Sequence, residues 1–370
     1  MGSQRNTFVT EFKFLFADNG DVSIMKQTCV AGAVAFALIM AGCNSASNSA
    51  NAKLENKIRI NGAGATFPNP IYAKWFDEYH KLHPHVEINY QSQGSGAGIR
   101  QLLAGTVDFG ASDMPMTDQQ LSQAKFAVLH FPTVLGAVVA TYNIPGVTQE
   151  LNFTSGALAG IMLGKIKKWN DKELTRSNPG VTMPANDIVV VHRSEGSGTT
   201  FVWTDYLSKV SPEWKSKVGT GASVSWPAGL GAKGNEGVSG LVKQTPYSIG
   251  YVELVYAIQN QMPFGKVRNA SGAFVKADLT SVTAAAASAK VPEDFRVSIT
   301  NPPGKEAYPI ASFTWLLIPE KIPDADKENT LKDFLKWMLV DGQKMTQALS
   351  YAPLPSEMVA KETAAIPKIQ

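Results

Sequence analysis

The chain has 370 residues and very few cysteines: only Cys29 and Cys43, both near its amino end. A disulfide framework and a cysteine-based metal site are therefore excluded for everything that follows residue 43. Charge of one sign is also lacking, because 34 basic and 31 acidic residues leave a net charge of +3. That balance does not indicate a nucleic-acid surface, and a composition of 44% hydrophobic and 18% charged residues is typical of a globular protein.

The sequence also lacks the short motifs of several enzyme classes. It contains no P-loop, no H-E-x-x-H pair and no G-x-S-x-G elbow, and no serine, histidine and aspartate triad can be assigned. Gly229–Gly234 satisfies G-x-G-x-x-G, but Trp226-Pro-Ala precedes it where a dinucleotide-binding domain has a buried strand. The cluster His80, His83 and His85 is interpreted as a solvated helix end. We therefore expect no cofactor, no metal and no catalytic residue.

The amino-terminal region has the pattern of an export signal. The uncharged apolar run Val30–Met40 is shorter than the roughly 20 residues of a membrane-spanning helix. It follows Met25-Lys26 and precedes Ala-Gly-Cys43, which resembles a bacterial lipobox. We interpret 1–24 as a doubtful extended start, 25–42 as a lipoprotein signal peptide, Cys43 as the lipid attachment site and 43–56 as a tether. The expected location is the periplasm, with membrane contact through the lipidated terminus only.

The remaining chain alternates between strand and helix patterns. Ile71, Trp75, Tyr79 and Leu82 recur at helical spacing, and Pro84 ends that helix. Short apolar segments such as 86–90, 138–143, 188–192 and 314–318 are typical of buried strands, whereas 270–307 is expected to be a connection. This order predicts an α/β protein with two mixed, mostly parallel sheets flanked by helices.

Two lobes are expected, because a chain of this length exceeds what one core usually serves. The final helix pattern has no complete sheet of its own and is assigned back to the first lobe. Lobe I would comprise 57–141 and 309–370, and lobe II 142–308. The chain would cross between them twice, near 141–142 and 308–309, and two crossings form a hinge around a ligand cleft.

Three glycine-rich loops that each precede a helix have one design: Gly62–Phe67, Gly94–Gly98 and Gly196–Thr200. Glycine allows backbone N–H groups to converge, and a helix N-terminus carries about half a positive charge. Serine and threonine hydroxyls add neutral donors. Ordinary helix capping explains any single loop equally well, but three loops in two lobes favour a site for an anion.

Two charged residues refine the expected ligand. Arg193 precedes the third loop, where a guanidinium could hold a tetrahedral oxyanion through two parallel hydrogen bonds. Asp113 follows a predicted strand, and a carboxylate tolerates an anion only if that anion has a proton to donate. Phosphate keeps a proton near neutral pH and sulfate does not. An ordinary ion pair or helix cap remains an alternative for both residues.

Several segments closely resemble the periplasmic phosphate-binding subunit of bacterial phosphate ABC transporters, from about residue 58 to the end. They are GAGATFPNPIYAKW (62–75), GSGAGIRQLLAGTVDFGASD (94–113), KIKKWND (165–171), HRSEGSGTTFVWTDYL (192–207) and GNEGVSGLVKQTPYSIGYVE (234–253). The resemblance implies the two-lobed periplasmic-binding-protein fold. It implies these phosphate ligands: Thr66, Phe67, Ser95, Asp113, Arg193, Ser197, Gly198 and Thr199. Phe67 and Gly198 would bind through backbone N–H groups, and Asp113 would accept the phosphate proton.

One position departs from the family pattern: Glu195 stands where relatives usually have aspartate, and it is expected to pair with Arg193. The resemblance implies a monomeric receptor that binds inorganic phosphate with high affinity and delivers it to the transmembrane permease of an ABC transporter. Two alternatives stay open: a receptor for sulfate, molybdate or a phosphonate, and a phosphate-releasing hydrolase. The second lacks a metal cluster, and only His192 could serve as a base for Ser197.

Overall fold

The computed structural model describes residues 57–287 and 289–370. The predicted signal peptide, Cys43 and the tether lie outside the described residues. Among the residues that are described, no helix is both long enough and apolar enough to cross a bilayer.

Eleven strands and twelve α-helices make up the described chain. The strands are β1 (Ile58–Gly64), β2 (Val86–Ser92), β3 (Phe109–Ser112), β4 (Val128–Asn143), β5 (Asn152–Phe153), β6 (Val189–Arg193), β7 (Leu230–Ala232), β8 (Ser248–Glu253), β9 (Lys266–Arg268), β10 (Phe274–Val275) and β11 (Ala311–Pro319). The helices are α1 (Asn69–Leu82), α2 (Ser95–Leu103), α3 (Asp118–Gln123), α4 (Ser155–Met162), α5 (Lys172–Ser177), α6 (Gly198–Val210), α7 (Pro212–Lys217), α8 (Gly234–Gln244), α9 (Leu254–Gln259), α10 (Leu279–Ala287), α11 (Ala325–Val340) and α12 (Ser356–Ala365). Short 3-10 helices cover Gly342–Met345, Gln347–Leu349 and Ile366–Lys368.

Eight strands form one sheet in the order β2-β1-β3-β11-β4-β8-β6-β7, and β10-β9-β5 form a small second sheet. Strands β1, β2 and β3 are mutually parallel, as are β6, β7 and β8. The antiparallel strands β4 and β11 lie between these two parallel groups. The predicted mixed α/β class is confirmed, and the two expected sheets are continuous through β4.

Strand β4 is shared by the two halves of the large sheet. Its first part pairs with β11, and from Val138 onward it pairs with β8. The sequence pattern predicted only 138–143 as a strand, whereas the strand begins at Val128. Pro132 lies within it, at a register shift that leaves Thr133 out of the ladder to β11. A β-bulge accommodates a residue without an N–H, which is how a proline fits a central strand.

The helix predicted before Pro84 is α1, and it buries Ile71, Trp75 and Tyr79. Leu82, which the spacing placed on the same face, is 61% exposed because the helix ends there. The segment 270–307 is more structured than expected, since it contains β10 and α10. Helix α10 buries Val282 against the central strands β4 and β11. Small residues allow that close approach, which is why an alanine-rich stretch is helical here.

Candidate anion-binding site

The three glycine-rich loops lie at the ends of strands from the two parallel groups. The first loop includes the end of β1, the second includes the start of α2, and the third leads from β6 into the start of α6. Gly94 has φ +95, a conformation that favours glycine, and its N–H donates to Gly64 O at 2.8 Å. Gly96 N–H donates to Gly196 O at 2.9 Å, so the second and third loops are in direct contact. Helix N-termini from both halves of the sheet therefore meet at one place.

Ser95 connects the two halves through its side chain. Its hydroxyl oxygen accepts the N–H of Asp113 at 3.2 Å and the N–H of Gly198 at 3.0 Å. The contact is close: a Cβ on Gly198 would lie 2.4 Å from Ser95 Oγ and 2.7 Å from Asp113 Oδ2. Only glycine fits at residue 198 in this arrangement.

Asp113 is fully buried and has one free acceptor atom. Its Oδ1 accepts the hydroxyl of Thr314 at 2.8 Å, whereas Oδ2 has no partner. Burial raises the pKa of Asp113 to about 7, against the opposing hydrogen bond from Thr314 and the charge of Arg193. A buried carboxylate oxygen without a partner is costly, so this position favours a ligand that donates a proton to it.

Arg193 is buried and is held at three of its donors. Its Nε donates to Glu195 Oε1 at 2.8 Å, its Nη2 donates to the same oxygen, and its Nη1 donates to Thr199 Oγ1 at 3.2 Å. Burial tends to raise the pKa of Glu195, but the hydrogen bonds and charge of Arg193 outweigh it and the pKa is lowered. Glu195 Oε1 also accepts the N–H of Gly234 at 3.0 Å. Glu195 and Arg193 therefore form the pair that the sequence predicted.

The first and third loops are joined through Thr66 and Thr199. Thr66 Oγ1 accepts the amide Nδ2 of Asn235 at 2.8 Å, and Thr199 Oγ1 accepts from the same nitrogen at 3.3 Å. Phe67 is completely buried, and its carbonyl accepts the hydroxyl of Tyr351 at 2.6 Å. Ser197 is the N-cap of α6, where its hydroxyl oxygen accepts the N–H of Thr200. Hydrogen bonds thus join six of the eight predicted ligand residues in one buried centre, in two groups: Thr66, Thr199 and Arg193, and Ser95, Asp113 and Gly198. Phe67 and Ser197 are the chain neighbours of Thr66 and Gly198.

Two residues of this centre were missed by the sequence analysis. Asn235 lies at the start of α8, within a segment that resembles the phosphate-binding family. The available signal was its position after a glycine that follows shortly on strand β7. Thr314 lies on β11, 201 residues after the Asp113 carboxylate that it contacts. No local pattern marks a strand threonine as a partner of a distant aspartate.

His192 is not placed to activate Ser197. Its ring stacks on Trp226 with centroids 4.7 Å apart, and its Nδ1 lies 3.0 Å from Arg193 O. The Ser197 oxygen already accepts a backbone N–H as a helix cap. The arrangement is therefore that of a binding site rather than that of a nucleophile with its base.

A two-part α/β sheet with helix starts from both parts at one buried site defines a solute-binding protein. A family model described as a PBP superfamily domain matches residues 45–341. The phosphate-binding protein PstS of Xylella fastidiosa is 45% identical over 312 residues, covering 84% of this chain and 85% of that protein. PstS of Haemophilus influenzae is 44% identical over 304 residues, covering 81% and 90% of the two chains. The chain belongs to the PstS family of phosphate-binding proteins, which are transport receptors and not enzymes.

Solved structures confirm the fold. A high-affinity periplasmic phosphate-binding protein solved with phosphate has a TM-score of 0.68 at 21% identity, covering 83% of this chain and 93% of that one. An ABC-type phosphate transport receptor from Vibrio cholerae has a TM-score of 0.53 at 20% identity, covering 80% and 100%. The predicted periplasmic-binding-protein fold is therefore confirmed.

Proposed function

We propose that this chain binds inorganic phosphate at the buried centre between the two halves of its sheet and delivers it to the permease of an ABC transporter. The observation that carries the proposal is Asp113 Oδ2, a buried acceptor without a partner beside the donors of three loops. The PstS relatives, which are phosphate-binding proteins by name, support the same ligand.

The chemistry of the centre distinguishes phosphate from sulfate. The hydroxyls of Thr66, Ser95 and Thr199 and the guanidinium of Arg193 can donate to oxygens that carry negative charge. Above a pH of about 7, where Asp113 is ionised, its carboxylate can only accept, so the ligand must also donate. Monohydrogen phosphate satisfies both requirements, whereas sulfate would place an oxygen against a carboxylate with no proton between them.

Arg193 supplies the positive charge of the site, and Glu195 holds its guanidinium in place through two of its nitrogens. The pair is buried, with the Arg193 side chain 1% exposed and that of Glu195 18% exposed. A planar guanidinium with five donors can hold Glu195 and Thr199 and still offer an N–H to an anion. The proposed ligand set is the predicted one: Thr66, Phe67, Ser95, Asp113, Arg193, Ser197, Gly198 and Thr199.

The two halves of the sheet are proposed to act as lobes that close around phosphate. Lobe I would comprise 57–141 and 309–370, and lobe II 142–308. The continuity of β4 and the hydrogen bond from the Tyr308 hydroxyl to Val138 O at 3.0 Å support crossings at these two places. The chain segments at the two crossings would act as the hinge, while the hydrogen bonds between the loops would break on opening.

The mature protein is proposed to be a periplasmic monomer, anchored by a lipid on Cys43 and in contact with the permease subunits. The apolar run and the lipobox-like sequence support export and lipid attachment. Mass spectrometry of the exported protein should show a lipid-modified Cys43 as the first residue. A mature terminus elsewhere would remove the anchor from this proposal without affecting the ligand.

The ligand is tested by calorimetric titration of the purified protein after bound anions have been removed. Phosphate should bind with release of heat or a change in tryptophan fluorescence, and equimolar sulfate should give no response. Equal binding of the two anions would contradict the role of Asp113. Absence of phosphate binding would contradict the proposed function itself.

A further inference from the structure

Asn235 contacts two proposed phosphate ligands that come from different halves of the sheet. Its backbone N–H donates to Thr66 Oγ1 at 3.2 Å, and its Nδ2 donates to the same oxygen at 2.8 Å. Nδ2 also donates to Thr199 Oγ1 at 3.3 Å. Asn235 is fully buried, so water does not compete for these contacts.

The orientation of the Asn235 amide follows from a third contact. The backbone N–H of Glu253 points to Asn235 Oδ1 at 3.0 Å. Because a backbone N–H can only donate, the atom opposite it must be the amide oxygen. The nitrogen must then face the two threonines, which fixes an assignment that geometry alone leaves ambiguous.

These contacts use up the acceptor capacity of both hydroxyls. A hydroxyl has two lone pairs and one hydrogen. The lone pairs of Thr66 Oγ1 receive the two donors of Asn235, and those of Thr199 Oγ1 receive Arg193 Nη1 and Asn235 Nδ2. Each hydroxyl keeps only its hydrogen, so each can act only as a donor.

Ser95 has the same hydrogen-bonding pattern, although other groups produce it. Its oxygen accepts the N–H groups of Asp113 and Gly198, which again leaves one O–H to donate. Three hydroxyls from three loops are therefore restricted to donating. This is the arrangement that an anion with several oxygens acting only as acceptors requires, and it is complete when the two halves of the sheet are together.

We propose, on the basis of the phosphate-binding function above, that Asn235 is a positioning residue for the ligand. By donating to the oxygens of Thr66 and Thr199, it turns both O–H groups toward phosphate. Affinity then depends on the direction of these hydrogen bonds and not only on the presence of the two threonines.

The substitution Asn235→Asp tests the direction, because it keeps the shape and replaces the Nδ2 donor by an acceptor. The threonine hydroxyls would then donate to the new carboxylate instead of to the ligand. We expect phosphate affinity to fall by at least about 100-fold, through lost donors and like-charge repulsion. The matched control is Asn143→Asp, because the Asn143 amide donates to the carbonyls of Val242 and Lys243 at the other end of α8. The control should change phosphate affinity by less than about threefold.

A double-mutant cycle separates positioning from a purely structural contribution and does not introduce a charge. Asn235→Ala should weaken phosphate binding by at least about tenfold in the wild-type background. In a Thr66→Val background, one of the two oriented hydroxyls is already absent. The fold loss of phosphate affinity caused by Asn235→Ala should therefore be smaller there, by a factor of at least about three. Circular dichroism and the thermal midpoint report whether each variant is folded.

Two results would overturn the inference: wild-type affinity in Asn235→Asp, or the same loss from Asn235→Ala in both backgrounds. Either result, with a wild-type protein that binds phosphate, leaves the proposed function intact. A wild-type protein that does not bind phosphate would instead contradict the function on which the inference rests.

Discussion

The hydroxyl oxygen of Ser95 accepts the backbone N–H of Gly198 at 3.0 Å and so joins two helix starts that are 103 residues apart in the chain. Helix α2 follows β2 of one parallel group of strands, and helix α6 follows β6 of the other. This hydrogen bond can therefore form only when the two halves of the sheet are together. The contact is possible because residue 198 has no side chain.

Gly198→Ala should prevent this approach. The new Cβ would lie 2.4 Å from Ser95 Oγ and 2.7 Å from Asp113 Oδ2, and the latter is buried and cannot move freely. Overpacking of this kind costs about 1–3 kcal/mol, so phosphate affinity should fall by about tenfold or more in calorimetric titration. Gly240→Ala, where a Cβ meets nothing within 4 Å, should bind as the wild type does. Unchanged affinity in Gly198→Ala would show that the loops do not need this contact.

Asp113→Asn should change the selectivity of the site. The amide can donate where the carboxylate could only accept, so the penalty against sulfate is removed. We expect the ratio of phosphate to sulfate affinity to fall by at least about tenfold when both are measured at one pH and ionic strength. Asp77→Asn, which alters an exposed carboxylate paired with Lys81 on α1, is the control and should keep the ratio. Retained selectivity in Asp113→Asn would remove Asp113 from the explanation of ligand choice.

Arg193→Lys should weaken phosphate binding by more than about tenfold. An ammonium is a point charge and cannot contact Glu195 through two nitrogens while it also contacts Thr199. Arg59→Lys makes the same change at an exposed pair with Glu87 and should leave affinity unaltered. The comparison uses titrations of both variants under identical conditions. Equal affinity of Arg193→Lys and wild type would place Arg193 outside the site.

Glu362→Gln should stabilise the protein at neutral and higher pH. Glu362 is fully buried in α12, neither of its carboxylate oxygens has a partner, and burial raises its pKa well above the ordinary value of 4.5. The folded state therefore holds this proton after the unfolded state has lost it, so the free energy of unfolding falls as the pH rises above about 4.5. Because glutamine cannot ionise, the variant does not undergo this decrease in the free energy of unfolding.

Denaturant unfolding at pH 5 and pH 8 measures the effect. At pH 8 the free energy of unfolding of the variant should exceed that of the wild type by more than about 1 kcal/mol, which corresponds to a shift of a single pKa unit. The difference between the two free energies should become smaller toward pH 5. Glu357→Gln on the same helix is the control, because that side chain is 81% exposed beside Lys361. A pH-independent difference for Glu362→Gln would contradict the assignment.

Much of the site could be predicted because its loops carry their information locally. Glycine, serine and threonine before a helix favour caps and converging N–H groups wherever they occur. The three loops, Arg193 and Asp113 were predicted from residue type and position, and the family resemblance supplied the individual loop ligands such as Thr66, Ser95 and Gly198. The length of strand β4 was underpredicted, since the proline at residue 132 suggests the end of a strand unless the bulge next to it, at Thr133, is known.

The sequence by itself determined the α/β class and the three glycine-rich loops before helices, and it indicated Arg193 and Asp113 as candidates, because these follow from residue type and spacing. Tertiary structure alone decided that Thr314 would satisfy one oxygen of Asp113, that the other would remain free, and that Asn235 would lie between Thr66 and Thr199. The reason is physical: a hydrogen bond requires a distance and a direction. Residues that are 169 or 201 positions apart acquire both only when the strands and helices that carry them pack together.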